Sequence, residues 1–313
     1  AHQRQYLERE FGLEVAAQLQ PVMQEAYRLA YIRKPEFMGN TRTEEKDPKF
    51  KIISDLPWSE QEIKERLTAY KQLSDKVEQE WHALPAQKKE TYFQLVKYPV
   101  QAAAQMNNKL LTAQLARHGK ADWADSDRAY DSIVSLTKTY NTTKWNRMMD
   151  FQPRRLLVFN RVERKALSSG LLEKPQAVYT WNGADCVEGA SVICEGLGYE
   201  GKAVAVEKKK ELTFEFAAWE TDSVEVEVRL LPNHPVEGER LRFTISLDGS
   251  ATEAVSYETK GRSEEWKENV LCNQAVRRMI LPVARKASHR LIFTALDEGV
   301  VLDQICLYMP RIK

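Results

Sequence analysis

Residues 59–85 read SEQEIKERLTAYKQLSDKVEQEWHALP and residues 212–230 read LTFEFAAWETDSVEVEVRL, and the contrast in their periods decides the fold. In the first stretch Ile63, Leu67, Tyr70, Leu73, Val77, Trp81 and Leu84 recur at three and four residues, the spacing of one helix face. Ser59 and Glu62 form a capping box at its start, and Pro85 ends it. In the second stretch Leu212, Phe214 and Phe216, then Val224, Val226, Val228 and Leu230, alternate with mostly polar neighbours, which is the spacing of half-buried strands.

The same two periods divide the whole chain. Of thirteen glycines only Gly12, Gly39 and Gly119 precede residue 169, so turns are sparse first and frequent afterwards. Upstream, one helical stripe runs Phe11, Val15, Leu19, Val22, Ala26 and Ala30, with Pro21 expected to kink or divide it. Tyr92, Phe93 and Val96 lead into Pro99; Val100, Ala103, Met106, Leu110 and Ala113 then continue to a stop at Gly119. A last helix carries Tyr130, Ile133, Val134, Thr137 and Tyr140. Small residues at Ala102, Ala103 and Ala104 allow close approach, and the set predicts an antiparallel bundle.

Residues 142–175 fit neither period, and with Pro153, Ser168, Ser169, Gly170 and Pro175 they read as a connector. Beyond it, alternation marks strands at Leu212–Phe216, Val224–Leu230, Leu241–Leu247, Arg278–Val283, Arg290–Leu296 and Val300–Tyr308, and Asp248-Gly249 signals a hairpin. Strands without intervening helices predict a jelly-roll-like β-sandwich. The fold class is therefore α+β multidomain, with a helical bundle over 1–165 and the sandwich over 166–313.

Composition excludes several functions. The chain has 313 residues, 46 basic against 45 acidic, for a net charge of +1, which gives no field for nucleic acid. Apolar runs such as Leu156–Phe159 fall far short of the roughly 20 residues that cross a bilayer. Residues 1–6 lack the layout of a signal peptide. Cys186, Cys194, Cys272 and Cys306 show no C-x-x-C spacing with histidine, so no metal and no cofactor are expected. Those cysteines read as buried free thiols, with a Cys186–Cys194 disulfide as the alternative.

Phosphate-loop, zinc-protease and nucleophile-elbow motifs do not occur. Three features stand out instead. Residues 31–40, YIRKPEFMGN, join two helices yet mix aromatic, apolar and charged groups, either as a structured turn or as part of a ligand cleft in which Arg33 offers a forked donor to a carboxylate. Residues 140–149, YNTTKWNRMM, collect amide, cation and aromatic groups as the bundle ends, which also fits a docked helix end. Tyr179, Trp181, Tyr199, Trp219 and Trp266 offer faces that either pack in a sandwich core or stack on sugar rings.

Residues 31–39, the run 81–86 followed by 93–107 (FQLVKYPVQAAAQMN), and residues 140–149 resemble the C-terminal region of glycoside hydrolase family 115. The likeness covers most of 1–165. Residues 246–249, 265–271 and 302–305 carry a looser resemblance to the sandwich that ends that family's chains. The resemblance implies an inverting xylan α-glucuronidase that removes glucuronic or 4-O-methylglucuronic acid from glucuronoxylan. It also implies that the acid and base lie in an upstream barrel, so that this chain supplies no catalytic residue and does not hydrolyse by itself.

A periplasmic or secreted parent and a homodimer are further implications of the resemblance. Carried onto this chain, it makes Arg33, Glu36 and Met38 candidates for the cleft wall, followed by Asn107 and Trp145. Family members often have an aromatic after Met-Gly; this chain has Asn40, which argues against sugar stacking by that loop. Trp181, Tyr199 and Trp266 are the sugar-stacking candidates of the sandwich. The rival expectations are a freestanding carbohydrate-binding module and a protein-interaction scaffold.

Overall fold

A computed structural model describes residues 2–42, 45–166, 170–189, 192–257 and 261–310. The chain forms two compact units, Ala1–Lys174 and Pro175–Lys313. Residues 170–174, expected with the sandwich, fall in the helical unit. Leu171 packs on a helical core cluster and Lys174 Nζ bonds Glu62 Oε1 at 2.9 Å. The connector positions Ser168 and Ser169 lie outside the described residues.

The first unit comprises α1 (His2–Phe11), α2 (Leu13–Ile32), α3 (Glu60–Ala83), α4 (Ala86–Tyr92), α5 (Tyr98–Arg117) and α6 (Trp123–Tyr140). The capping box is formed: Ser59 Oγ accepts from the Glu62 amide at 3.3 Å, and Glu62 Oε2 accepts from the Ser59 amide at 2.7 Å. The expected break at Pro21 is displaced. α2 continues through that residue, and the chain breaks instead at Gly12, whose φ of +88° suits a residue without a Cβ. One π-helical turn, Phe93–Lys97, joins α4 to α5 where Pro99 enters the first turn.

Two apolar clusters fill this unit. Leu7, Phe11, Leu19, Leu29, Tyr70, Val77 and Tyr92 make one. Met38, Leu56, Ile63, Met106, Leu110 and Ile133 make the other, together with Val158 and Val162 from the connector. That segment is thus core rather than linker. Each such side chain contributes about 1.5–3 kcal/mol by leaving water.

The second unit contains β1 (Tyr179–Asn182), β2 (Val192–Glu195), β3 (Lys202–Val206), β4 (Glu211–Ala217), β5 (Ser223–Leu230), β6 (Arg242–Leu247), β7 (Ser250–Ala251), β8 (Val255–Ser256), α7 (Glu264–Cys272), β9 (Ala275–Pro282), β10 (Ser288–Ala295) and β11 (Val300–Tyr308). One sheet runs β2-β3-β11-β5-β9 with β1 also on β11; the other runs β4-β10-β6-β7 with β8 on β6. All pairings are antiparallel, and the side chains of both sheets meet in one core.

The expected strands are present. The expectation that no helix intervenes is corrected by α7, which Ser263 caps by accepting from the Trp266 amide at 3.2 Å. Asp248 and Gly249 both take positive φ, +52° and +89°, as a primed hairpin turn requires. β1, β2 and β3 escaped the alternation reading because they are short and lie among glycines.

Candidate functional site

In the helical unit two of the singled-out residues, Arg33 and Asn107, meet at a guanidinium that the sequence reading does not select. Arg66 projects from α3 into the interior, 6% exposed. Its Nε donates to Asn107 Oδ1 at 2.7 Å, and its Nη2 donates to the Leu29 and Arg33 carbonyls at 3.0 and 2.8 Å. The cation lies 5.2 Å from the centre of the Trp58 ring and 5.1 Å from that of Tyr70. Asn107 in turn donates to the Ala103 carbonyl at 2.9 Å. Arg66 falls on the apolar stripe between Ile63 and Tyr70, and a charge at a buried phase was the signal available for finding it.

Arg66 fixes the end of α2, and from there the loop follows. The Arg33 backbone turns extended; its side chain, 1% exposed, donates from Nε to the Phe37 carbonyl at 2.7 Å and from Nη2 to Asn40 Oδ1 at 3.4 Å. Met38 is buried in the core cluster beneath, and Gly39 lies so close that a Cβ there would meet Ile53 Cγ2 at 3.2 Å. Arg33, Met38 and Asn107 are thus interior groups that shape the loop, while Glu36 is half-buried at its surface.

Trp145 belongs to a different loop. Asn141 clasps it by donating to the Met149 carbonyl at 2.8 Å and accepting from the Met149 amide at 3.0 Å. The clasped loop exposes Trp145 (40%) and Met148 (63%), with Lys144 Nζ 5.5 Å from the Trp145 ring centre. Lys144, Arg147, Arg154 and Arg155 give this segment a cationic surface, with Asp150 the one exposed carboxylate among them.

Another buried cation holds the segment that follows these loops. Lys109 on α5 is fully buried, and its Nζ donates to the Val158 and Asn160 carbonyls at 2.7 and 2.9 Å. Burial pushes its ammonium down to about 7. It fastens the former connector to the bundle.

In the second unit the aromatic candidates separate. Trp181 is half-buried and stacks on Tyr179 at 5.3 Å, with Phe214 at 5.6 Å, so it packs with the sandwich core. Trp266 on α7 is half-buried and lies face to face with His234 at 6.3 Å. Tyr199 is 37% exposed on the loop between β2 and β3. Beneath it sits Asp303, 1% exposed, whose Oδ1 and Oδ2 accept from the Tyr199 amide at 2.9 and 3.1 Å while Oδ2 accepts from Gln274 Nε2 at 2.9 Å. Burial raises the Asp303 carboxyl above its ordinary value, against the lowering effects of the Gln274 and Tyr199 donors and of the Arg229 guanidinium.

All four cysteines are free thiols, and Cys306 alone is fully buried. Among the described residues no group of three or more His, Cys, Asp or Glu is arranged to hold a metal ion, and no helix is long and apolar enough to cross a membrane.

Comparison with known proteins adds an independent line. Residues 190–313 match the glycosyl hydrolase family 115 C-terminal domain. Among solved structures, BtGH115A, described as a family GH115 4-O-methyl-α-glucuronidase with specificity for decorated arabinogalactans, is 60% identical to this chain. The superposition has a TM-score of 0.96 and covers 99% of this chain but 41% of that one, so the chain spans less than half the length of that relative. A family 35 carbohydrate-binding module from an environmental isolate aligns at 10% identity and a TM-score of 0.34, over 42% of this chain and 93% of that one, values too low to carry an argument. Comparison with curated proteins returns no match.

Proposed function

The chain belongs to glycoside hydrolase family 115 as that family's C-terminal region, and on that premise we propose that it supports and borders the active site of an α-glucuronidase whose catalytic barrel it does not contain. The observation that carries this reading is the near-complete superposition on 41% of a 4-O-methyl-α-glucuronidase at 60% identity. Agreement that close over both units supports a shared role for both, and it leaves the acid and base of hydrolysis to the remaining length.

On this reading the substrate is a polysaccharide bearing glucuronic or 4-O-methylglucuronic acid, either glucuronoxylan or a decorated arabinogalactan of the kind on which the relative acts. The loop over Arg33, Glu36 and Met38 forms a wall of the cleft. Its buried members keep that wall rigid, which is what holding a substrate within a fraction of an ångström requires. Asn107 acts from behind through Arg66, and Trp145 offers an aromatic face among cations that suit a uronate. The upstream barrel and a second copy of the parent chain are the partners this reading implies.

Uronic acid release tests it. The 313-residue chain alone is expected to free none from glucuronoxylan or arabinogalactan, whereas the parent enzyme that includes it is expected to do so. Release by the isolated chain overturns the proposal. In the parent, Arg33→Ala and Glu36→Gln are expected to lower kcat/KM about tenfold or more, the scale of one charge-assisted contact or of the loop that carries it. Unchanged kinetics in both variants removes this loop from the cleft.

A further inference from the structure

The loop between β2 and β3 is built at a cost that closing a hairpin does not explain. Gly196, Gly198 and Gly201 take φ of +79°, +91° and +72°, which lets six residues wind tightly. A Cβ on Gly198 would stand 2.3 Å from Asp303 Oδ1, so the backbone rests directly on the buried carboxylate. On the other side of Tyr199, Glu200 Oε2 accepts from Asn182 Nδ2 at 3.1 Å. Asn182 is itself held by Asp185 Oδ2 at 2.9 Å and Gln304 Nε2 at 3.0 Å.

Burying a carboxylate costs the fold free energy, yet here it fixes a tip whose side chains Leu197 (40%) and Tyr199 (37%) are partly exposed. Rigid, exposed apolar groups are what a recognition surface needs, because their ordering is completed before the ligand arrives.

We propose that the Gly196–Gly201 loop is a glycan-contact finger of the second unit that takes a neutral sugar on the Tyr199 ring, with Asp303 as its positioning residue. The phenol face matches the C–H face of a pyranose. The charges around it choose the class of sugar. Among the described residues 192–202 and the adjoining Asp185, the exposed charges are Asp185, Glu195 and Glu200 against Lys202, which stands opposite Glu195 in the strand register. Carboxylates accept sugar hydroxyls and repel a uronate, so this site selects unsubstituted backbone sugar, the opposite of the cationic surface around Trp145. The inference does not depend on the barrel.

Calorimetric titration of the 313-residue chain tests it, with an unsubstituted xylo-oligosaccharide, a β-galacto-oligosaccharide, and the same xylo-oligosaccharide bearing one glucuronic acid. Saturable binding of at least one neutral probe is expected, weakened about tenfold by Tyr199→Ala and by Asp303→Asn but retained by Tyr199→Phe, with the uronate-bearing probe binding more weakly at low salt. Should Asp303→Asn fail to fold, hydrogen exchange at the Tyr199 amide of the unaltered chain decides the positioning role, and exchange at the rate of an open loop overturns it. No binding of either neutral probe at millimolar concentration, full binding by Tyr199→Ala, or tighter binding of the uronate-bearing probe overturns the site. Such a failure leaves the reading as an enzyme's C-terminal region intact, because that reading stands on uronic acid release.

Discussion

In each unit one ionisable side chain is buried against backbone and amide groups, and the two have opposite sign. In the helical unit Lys109 gives its ammonium to two backbone carbonyls; in the sandwich Asp303 takes a backbone amide and a glutamine side chain. Both sit where a turn-rich segment meets regular structure, and both hold that segment in place. The difference lies in how each unit responds to protons. Lys109 loses its proton near pH 7 when folded but at about 10.5 when unfolded, so between those values the unfolded chain binds the extra proton and stability rises with pH. Asp303 keeps its proton to higher pH folded than unfolded, so its unit loses stability as pH rises through the window just above the ordinary carboxylate range. These two buried groups therefore contribute pH slopes of opposite sign, each in its own window.

The strongest way to break this contrast is to unfold one body. Phe293 is fully buried and stacks on Phe243 at 5.1 Å; Phe293→Ala is expected to remove about 3–5 kcal/mol from the sandwich while the helical transition stays in place. A calorimetric trace in which both transitions shift together would show that the units do not unfold separately. Lys109→Met should flatten the helical unit's stability between pH 7 and 10.5, where the unaltered chain gains at most about 1.4 kcal/mol per pH unit. Denaturant melts across that range measure it, and an unchanged slope assigns the dependence to another group.

The sandwich carries the mirror experiment. Asp303→Asn should remove the Asp303 contribution, so that melts just above the ordinary carboxylate range show stability rising more steeply with pH than in the unaltered chain, and an unchanged profile excludes Asp303 as a source. At the small end, Ser59→Ala deletes half of the capping box and is expected to cost the helical unit about 1 kcal/mol and the sandwich nothing.

Legibility followed the same division. Regular elements with strong periods were readable: the α3 stripe with its cap, the alternation in β4, β5, β6, β10 and β11, and the Asp248-Gly249 turn all follow from local geometry. Helix α7 and strands β1 to β3 were not, because short elements among glycines give no period long enough to recognise. The candidate site was legible in part. Arg33, Met38 and Asn107 stand out in the sequence as cleft-wall candidates, but that their side chains are buried within the helical unit is not legible there, since the sequence shows a donor and not which carbonyl will take it. Trp181 offered the same two roles as Tyr199 on paper. Its place on β1 turned it toward Phe214 and Phe216, while the glycine loop left Tyr199 partly exposed.

By itself the sequence determined the class of each half, the order of the halves and the resemblance to one glycosidase family, because periodicity and motif order are properties of neighbours along the chain. Only the tertiary structure decided that Arg66 gathers Asn107 and the end of α2, that residues 156–162 lie over Lys109, and that Asp303 carries the Tyr199 loop. Those partners stand 30 to more than 100 residues apart, and a buried charge acquires its meaning from whatever folding brings within about 3 Å of it.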